Sequence, residues 1–253
     1  MAPITLKSPP ELAAMREGGR LLAQVLRLLA DMVEPGATTG DLDRAAGQYI
    51  EQHGARAAFK GYRGFPANIC TSLNEEVVHG IPGSRKLKEG DLLKIDAGVI
   101  WDGFFSDAAL TVPVGEVGDE VLRLMRATQE ALNAGIAALR PGVRVSQISA
   151  AVQKVAEGHG FNVVRDYTGH GIGRALHEDP KVPNYVSAGL LRHDAVLPKG
   201  AAVAIEPMVN VGTHRTRILP NGWTVVTRDG GLSAHFEHTV AVDDTGPVIL
   251  TLP

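Results

Sequence analysis

The stretch LLKIDAGVIWDGFFSD (92–107) places two acids, Asp96 and Asp107, in a segment that is otherwise typical of a buried hairpin. Its Asp-Gly dipeptide is typical of a two-residue turn, so we expect cross-strand partners whose residue numbers sum to 205. Asp96 then lies opposite Ala109, and Asp107 lies diagonal to it on the same face of the hairpin. Two carboxylates on one apolar face repel each other and lose hydration, unless one takes up a proton or a cation neutralises them. A metal ion is the simplest solution, against the alternative that each acid is solvated or bonded to backbone.

Three further segments place a possible metal ligand among apolar or glycine-rich neighbours. His170 lies between glycines in TGHGIG, where small neighbours leave an imidazole nitrogen accessible. Glu206 interrupts the apolar run AIEPMV, and Glu237 interrupts AHFEHT. Each acid alone could be a satisfied core residue, but four carboxylates would balance two divalent cations. Oxygen-rich ligation with one imidazole suits Mn, Fe, Co or similar ions. It is less like the sulfur-rich ligand sets of structural zinc sites.

The chain also contains a weak internal repeat. VEPGATTGDLDRAAG aligns with LRPGVRVSQISAAVQ at an offset of 106, and LKEGDLLKIDAGV aligns with LPKGAAVAIEPMV at an offset of 110. The second alignment sets Asp96 on Glu206. Chance similarity between Pro-Gly turns and apolar runs is the alternative explanation. If the repeat is real, each half contributes one acid from an equivalent strand to a shared site.

Hydrophobic spacing predicts two α/β halves, with helices outside a curved antiparallel sheet. We expect Thr39 and Ser146 to cap the second helix of each half. The expected helices are residues 11–34, 40–54, 119–139 and 145–159. The expected strands are residues 68–72, 92–100, 104–112, 202–209, 224–227 and 235–242.

Composition narrows the class of protein. The 253 residues are 44% hydrophobic, which is enough for a large core. The 25 basic and 28 acidic residues give a net charge of −3 without charged blocks, so we expect no nucleic-acid or membrane partner. No export signal is visible, and the single cysteine, Cys70, cannot form an internal disulfide. These features predict a protein of the cytoplasm.

Five motifs together resemble those of a known enzyme family. They are NEEVVHGIP (74–82), LLKIDAGVIWDGFFSD (92–107), TGHGIGRALHEDP (168–180), AIEPMVN (204–210) and WTVVTRDGGLSAHFEHT (223–239). In this order they resemble the type I methionine aminopeptidases, in the minimal bacterial form, over about residues 7–250.

The resemblance implies the pita-bread fold, an α+β architecture with a pseudo-twofold repeat. It implies one catalytic domain over residues 1–253, with halves of about 1–115 and 116–253. The implied activity is removal of the N-terminal methionine from nascent proteins and peptides whose second residue is small. A monomer is implied, and the ribosome is a candidate partner.

The same resemblance implies the metal ligands. Asp96 would chelate one of two divalent ions, His170 and Glu206 would hold the other, and Asp107 and Glu237 would bridge them. Co, Mn, Fe, Ni and Zn all suit this ligand set. A water or hydroxide between the ions would attack the first peptide bond.

Resemblance also assigns three catalytic groups. Glu206 would relay the proton of the nucleophile, His177 would contact the substrate carbonyl, and His79 would lie near the scissile nitrogen. Both histidines would then contact substrate rather than metal. Taken alone, each histidine could equally be a structural hydrogen-bonding residue.

An apolar pocket is needed because an unbranched thioether is recognised by shape and contact. By resemblance, this pocket would be lined by Tyr62, Phe65, Cys70 and Trp223. For Cys70 the alternative is a small buried apolar residue. Two positions depart from the family pattern: Leu176 stands where relatives commonly carry an aromatic, and Phe59 where some carry cysteine. Leu176 would widen or soften the pocket, and Phe59 should leave catalysis intact.

Three other readings compete with this one. Prolidases and aminopeptidases P use similar five-ligand sites but usually carry an extra amino-terminal domain. Non-catalytic pita-bread modules lack the ligands, all five of which are present here. A structural metal-binding protein without turnover is disfavoured by the paired His79 and His177.

Overall fold

The computed structural model describes residues 3–253. In that range the helices are α1 (Pro9–Asp31), α2 (Thr39–Gln52), α3 (Asp119–Ala137), α4 (Val145–Gly158) and α5 (Ala188–Arg192), with a short 3-10 helix at Tyr62–Gly64. The strands are β1 (Arg56–Ala57), β2 (Ile69–Leu73), β3 (Glu76–Val78), β4 (Leu92–Trp101), β5 (Phe104–Pro113), β6 (Val143–Arg144), β7 (Asn162–Val163), β8 (Thr168–Gly171), β9 (Glu178–Pro183), β10 (Val196–Leu197), β11 (Ala202–Ile205), β12 (Met208–Asn210), β13 (Thr216–Ile218), β14 (Val225–Thr227), β15 (Ser233–His235), β16 (Glu237–Asp243) and β17 (Gly246–Ile249).

A nine-stranded antiparallel sheet forms the centre of the molecule. Its order is β1-β4-β5-β16-β11-β8-β9, with β17 on β16 and β2 on β4. At the centre of the sheet β5 pairs with β16, and β4 flanks this pair on one side and β11 on the other. Helices α1 and α2 cover one half of the sheet with a core that includes Leu22 and Ile95, and α3 and α4 cover the other with Leu124 and Val203. The predicted α+β pita-bread architecture is confirmed.

The β4–β5 hairpin follows the predicted register. Asp96 pairs with Ala109, and every other pair in the ladder also sums to 205. Asp102 and Gly103 form the turn with φ of 48° and 75°, the positive values that a type I′ turn requires. The register therefore places Asp96 and Asp107 on one face, as the Asp-Gly signal predicted.

Two expected strands are each divided in two. The expected strand 202–209 is broken at Glu206 and Pro207, because proline has no N–H for the ladder. The expected strand 235–242 is broken at Phe236. On one side of these breaks β11 pairs with β16 in the large sheet, and on the other β12 pairs with β15 in a small three-stranded sheet. Glu206 and Glu237 thus lie where a two-stranded ribbon passes between sheets.

The predicted helix caps were wrong by one or two residues. Thr38, not Thr39, caps α2, and its Oγ1 accepts the Asp41 N–H at 3.1 Å. Ser146 lies inside the first turn of α4, where its N–H and hydroxyl donate to Asp194 at 2.9 and 2.6 Å. Asp194 caps this helix from 48 residues away, so no local pattern could have revealed it.

Within residues 3–253, no helix combines the length and the apolar character needed to cross a membrane.

Candidate active site

The five predicted ligands come together around one cavity. Asp96 and Asp107 extend from the β4–β5 hairpin, His170 from β8, and Glu237 from the start of β16. Glu206 reaches the same cavity from the break between β11 and β12. The sheet therefore gathers side chains that are up to 141 residues apart in sequence, which is the spacing between Asp96 and Glu237.

The ligand atoms are separated by distances typical of groups around a common ion. His170 Nε2 lies 3.6 Å from Glu206 Oε1 and 3.9 Å from Asp107 Oδ2. One atom each from Asp107, His170 and Glu237 lie within 4.8 Å of one another. The distances of 3.6 and 3.9 Å are too long for hydrogen bonds. They match the roughly 3–4 Å between two ligand atoms that each lie about 2.1 Å from one ion.

The tautomer of His170 is fixed by its own backbone surroundings. Its Nδ1 lies 2.9 Å from the Gly171 carbonyl oxygen. A carbonyl oxygen can only accept, so Nδ1 carries the hydrogen and Nε2 presents its lone pair to the carboxylates. Burial lowers the pKa of His170 to about 3, so the ring is neutral. A lone pair that faces carboxylate oxygens is stable only if a cation or a proton lies between them.

Burial also opposes ionisation of the acids. It raises the pKa of Asp96 to about 7, and burial followed by the charge of Asp96 raises the pKa of Asp107 well above its usual range. Burial, and then the charges of the neighbouring acids, also raise the pKa values of Glu206 and Glu237 well above their usual range. Three oxygens of these acids are buried without a hydrogen-bond partner among residues 3–253: Asp96 Oδ1, Asp107 Oδ1 and Glu237 Oε1. Four acids, three of which have an unpaired buried oxygen, fit divalent metal ions together with a neutral imidazole.

Local backbone features aim His170 at the acids. The β8–β9 ladder shifts register between His170 and Gly171, a bulge of the kind that redirects side chains. A Cβ on Gly169 would lie 2.4 Å from the Ala204 oxygen, and one on Gly171 would lie 2.2 Å from the Asp179 oxygen. Glycine is therefore required on both sides of the histidine, because the neighbouring strands approach too closely for a side chain.

Two threonines hold the central strands together beside the acids. Thr239 Oγ1 accepts the Asp107 N–H at 2.9 Å and donates to the Asp107 carbonyl at 2.8 Å. Thr111 Oγ1 accepts the His235 N–H at 2.9 Å and donates to the His235 carbonyl at 2.6 Å. Both contacts fix the backbone on either side of the Glu237–Ala109 pair. Sequence reasoning missed both threonines, and only the register between β5 and β16 could have pointed to them.

The two further histidines lie at the same cavity. His79 has a positive φ of 61°, an uncommon conformation for a non-glycine residue, and its ring meets the edge of Tyr167 at 5.6 Å. Burial lowers its pKa to about 4. His177 lies 4.1 Å from the His170 ring, centroid to centroid, and burial and then Arg63 lower its pKa. Both rings are neutral at neutral pH.

The apolar side of the cavity contains every residue that was predicted to bind methionine. They are Tyr62, Phe65, Cys70 and Trp223. Both departures, Phe59 and Leu176, line it too, together with Arg63, which sequence reasoning missed. Burial raises the pKa of the Cys70 thiol well above its usual value, so it stays protonated and apolar. The roles of all these residues stay predictions.

Tyr62 contacts a ring nitrogen of His177. The tyrosine hydroxyl lies 3.0 Å from His177 Nδ1. If it donates there, Nε2 carries the hydrogen and can serve as a donor inside the cavity. Tyr62→Phe is expected to lower kcat about tenfold while keeping the aromatic ring in place.

The matched control for that substitution is Tyr49→Phe. The Tyr49 hydroxyl donates to Gln24 at 3.3 Å, away from the cavity, so its loss should leave kcat unchanged. Steady-state kinetics of methionine release measure both variants. Equal kcat values for Tyr62→Phe and wild type would show that the hydroxyl does not act through His177.

The fold and the acid cluster define a metallopeptidase. The sequence model of the family described as "Metallopeptidase family M24" matches residues 13–244, and the chain belongs to this family.

Its relatives place it more narrowly. A methionine aminopeptidase of Clostridium perfringens is 49% identical over 249 residues, which covers 98% of this chain and 99% of the relative. The crystal structure of methionine aminopeptidase from Rickettsia prowazekii superposes with a TM-score of 0.95 at 41% identity, covering 99% of this chain and all of that one. Within family M24 the chain therefore belongs with the methionine aminopeptidases.

The fold extends to more distant enzymes. An Xaa-Pro dipeptidase from Bacillus anthracis superposes with a TM-score of 0.79 at 20% identity, and the match covers 98% of this chain but 62% of that one. This likeness concerns the fold alone.

Proposed function

We propose that the chain removes the N-terminal methionine from nascent proteins and peptides whose second residue is small. The proposal takes residues 1–253 as one catalytic domain that acts in the cytoplasm as a monomer, with the ribosome as a candidate partner. The observation that carries it is the neutral His170, whose Nε2 lone pair faces two carboxylates at 3.6 and 3.9 Å beside an apolar pocket.

The ligand assignment follows the arrangement of the acids. Asp96 would hold one divalent ion, and His170 with Glu206 would hold the other. Asp107 and Glu237 come from the two central strands between these groups and would bridge the ions. Mn, Co, Fe, Ni and Zn are all compatible with the donor set. When bound, two such ions lower the pKa of water and polarise the first peptide carbonyl.

The remaining chemistry belongs to side chains of this protein. Glu206 would accept a proton from the attacking water and pass it to the leaving amine. His177, with its hydrogen on Nε2, would donate to the carbonyl oxygen as negative charge develops there. His79 is held towards the cavity by its unusual backbone conformation and would contact the scissile nitrogen.

Selectivity would come from the apolar wall. Phe65 and Trp223 meet edge to face at 5.1 Å, which gives the pocket a rigid aromatic corner. The protonated thiol of Cys70 adds an uncharged contact to this corner. Such a wall suits an unbranched thioether, which gains more from contact than from hydrogen bonds.

Peptide cleavage tests the proposal. Chelator-stripped protein resupplied with Mn or Co should release free methionine from Met-Gly-Met-Met at least about a hundredfold faster than from Met-Leu-Met-Met, because a pocket that excludes a large second residue misplaces the scissile bond. Ala-Pro serves as the substrate for prolidase chemistry. Cleavage of Ala-Pro in preference to Met-Gly-Met-Met would contradict the proposal, as would ion binding without turnover of either.

A further inference from the structure

His235 is a second imidazole at the acid cluster, and the roles proposed above do not use it. Its side chain is 1% exposed, and neither ring nitrogen has a hydrogen-bond partner among residues 3–253. Its Nε2 lies 3.9 Å from Glu206 Oε2 and 3.9 Å from Glu237 Oε2. A fully buried polar ring that is aimed at two carboxylates requires a physical explanation.

Glu206 is consequently flanked by two imidazoles. Its Oε1 faces His170 at 3.6 Å, and its Oε2 faces His235 at 3.9 Å. The backbone of His235 is fixed by both hydrogen bonds to Thr111, which sets the position from which the ring faces the acids.

The two histidines differ in what lies at Nδ1. In His170 this nitrogen donates to the Gly171 carbonyl, which leaves Nε2 free to bind an ion. In His235 no acceptor lies within hydrogen-bond distance of Nδ1 among the described residues. A hydrogen on that nitrogen would be an orphaned buried donor, which proteins rarely tolerate, whereas an unfilled acceptor costs less. Nε2 is the better-placed donor, because carboxylate oxygens lie 3.9 Å from it and a small movement would pair them.

We propose that His235 is a positioning residue whose Nε2–H holds the carboxylates of Glu206 and Glu237 in the orientation that binds the ion shared with His170. A movement of about 1 Å by either carboxylate brings the contact to hydrogen-bond length. Hydrogen bonds of this kind to ligands typically account for 10- to 100-fold in metal affinity. The inference rests on the two-ion site proposed above.

The test replaces His235 with three side chains and titrates chelator-stripped protein with Mn²⁺ by calorimetry. His235→Gln carries an amide N–H near the position of Nε2, whereas His235→Asn carries it near Nδ1 and His235→Leu has none. Both wild type and His235→Gln are expected to bind two ions. For each ion, the affinities of the two proteins should agree within about threefold. His235→Leu and His235→Asn should bind one of the two ions 10- to 100-fold more weakly.

A histidine on the next strand provides the matched control. His238 is half-buried, and its Nδ1 contacts the Thr251 hydroxyl at 2.8 Å. His238→Leu should leave both affinities unchanged. Visible absorption of Co²⁺-loaded protein adds a readout of ligand geometry that does not depend on turnover, and far-UV circular dichroism shows whether each variant is folded.

The outcomes separate this inference from the proposed function. Wild-type affinities in His235→Leu would overturn the positioning role and leave the peptidase proposal standing. Loss of an ion in His235→Gln, with a changed Co²⁺ spectrum, would identify His235 as a direct ligand and also overturn it. Wild type that binds no ion would overturn the metal site itself.

Discussion

Asp107→Asn is expected to lower kcat/KM for Met-Gly-Met-Met by about a thousandfold or more, even at saturating Mn²⁺. The substitution keeps the shape of the side chain but replaces an anionic oxygen with an amide. Asp107 is one of the three residues whose ligand atoms cluster within 4.8 Å, and it lies on a central strand of the sheet. A bridging carboxylate balances charge for both ions, so its loss should affect both.

The control makes the same chemical change elsewhere. Asp119 is exposed in the first turn of α3, and Asp119→Asn should keep kcat/KM within about twofold of wild type. Methionine release at several Mn²⁺ concentrations distinguishes weaker ion binding from slower chemistry. Activity of Asp107→Asn within tenfold of wild type would contradict the bridging role proposed for Asp107.

The sequence predicted those parts of the site that depend on local patterns. The Asp-Gly turn determined the register of one hairpin, and therefore the shared face of Asp96 and Asp107. Glycines on both sides of His170 indicated an accessible imidazole nitrogen, and the structure adds that the Ala204 and Asp179 carbonyls leave no room for side chains there. The roles of the histidines and of the pocket residues came from family resemblance, because no periodicity distinguishes a substrate-binding histidine from a structural one.

Features that depend on tertiary contacts could not be predicted. Pro207 was visible in the sequence, but the breaks at Glu206 and Phe236 require knowing that the ribbon passes between two sheets. The cap of α4 comes from distant Asp194. The sequence indicates only that His235 lies in a strand, and the structure shows that its ring faces Glu206. In each case the partner is set by the fold rather than by neighbouring sequence.

The acid cluster is also expected to make the stripped protein less stable as the pH rises. Burial raises the pKa of Asp96 to about 7 and that of Asp107 well above its usual range, whereas unfolded aspartates titrate near 4. Between those values the folded state binds more protons than the unfolded state, so the free energy of unfolding decreases with increasing pH. The contribution is complete below about pH 4 and is lost progressively as the pH rises through 7 and beyond.

Asp107→Asn should therefore have opposite effects on stability in the stripped and the loaded protein. Without metal, the variant should be more stable than wild type at pH 8, and this difference in the free energy of unfolding should be smaller at pH 5, because the contribution of Asp107 is complete only below about pH 4. With saturating Mn²⁺ at pH 8 the order should reverse, because ions that bind only the folded state stabilise wild type more. Differential scanning fluorimetry of both proteins, stripped and loaded, at pH 5 and pH 8 measures all four differences. A stripped wild type that is as stable as the variant at pH 8 would mean that groups of the protein itself already neutralise the four acids. The electrostatic argument for two metal ions would then be wrong.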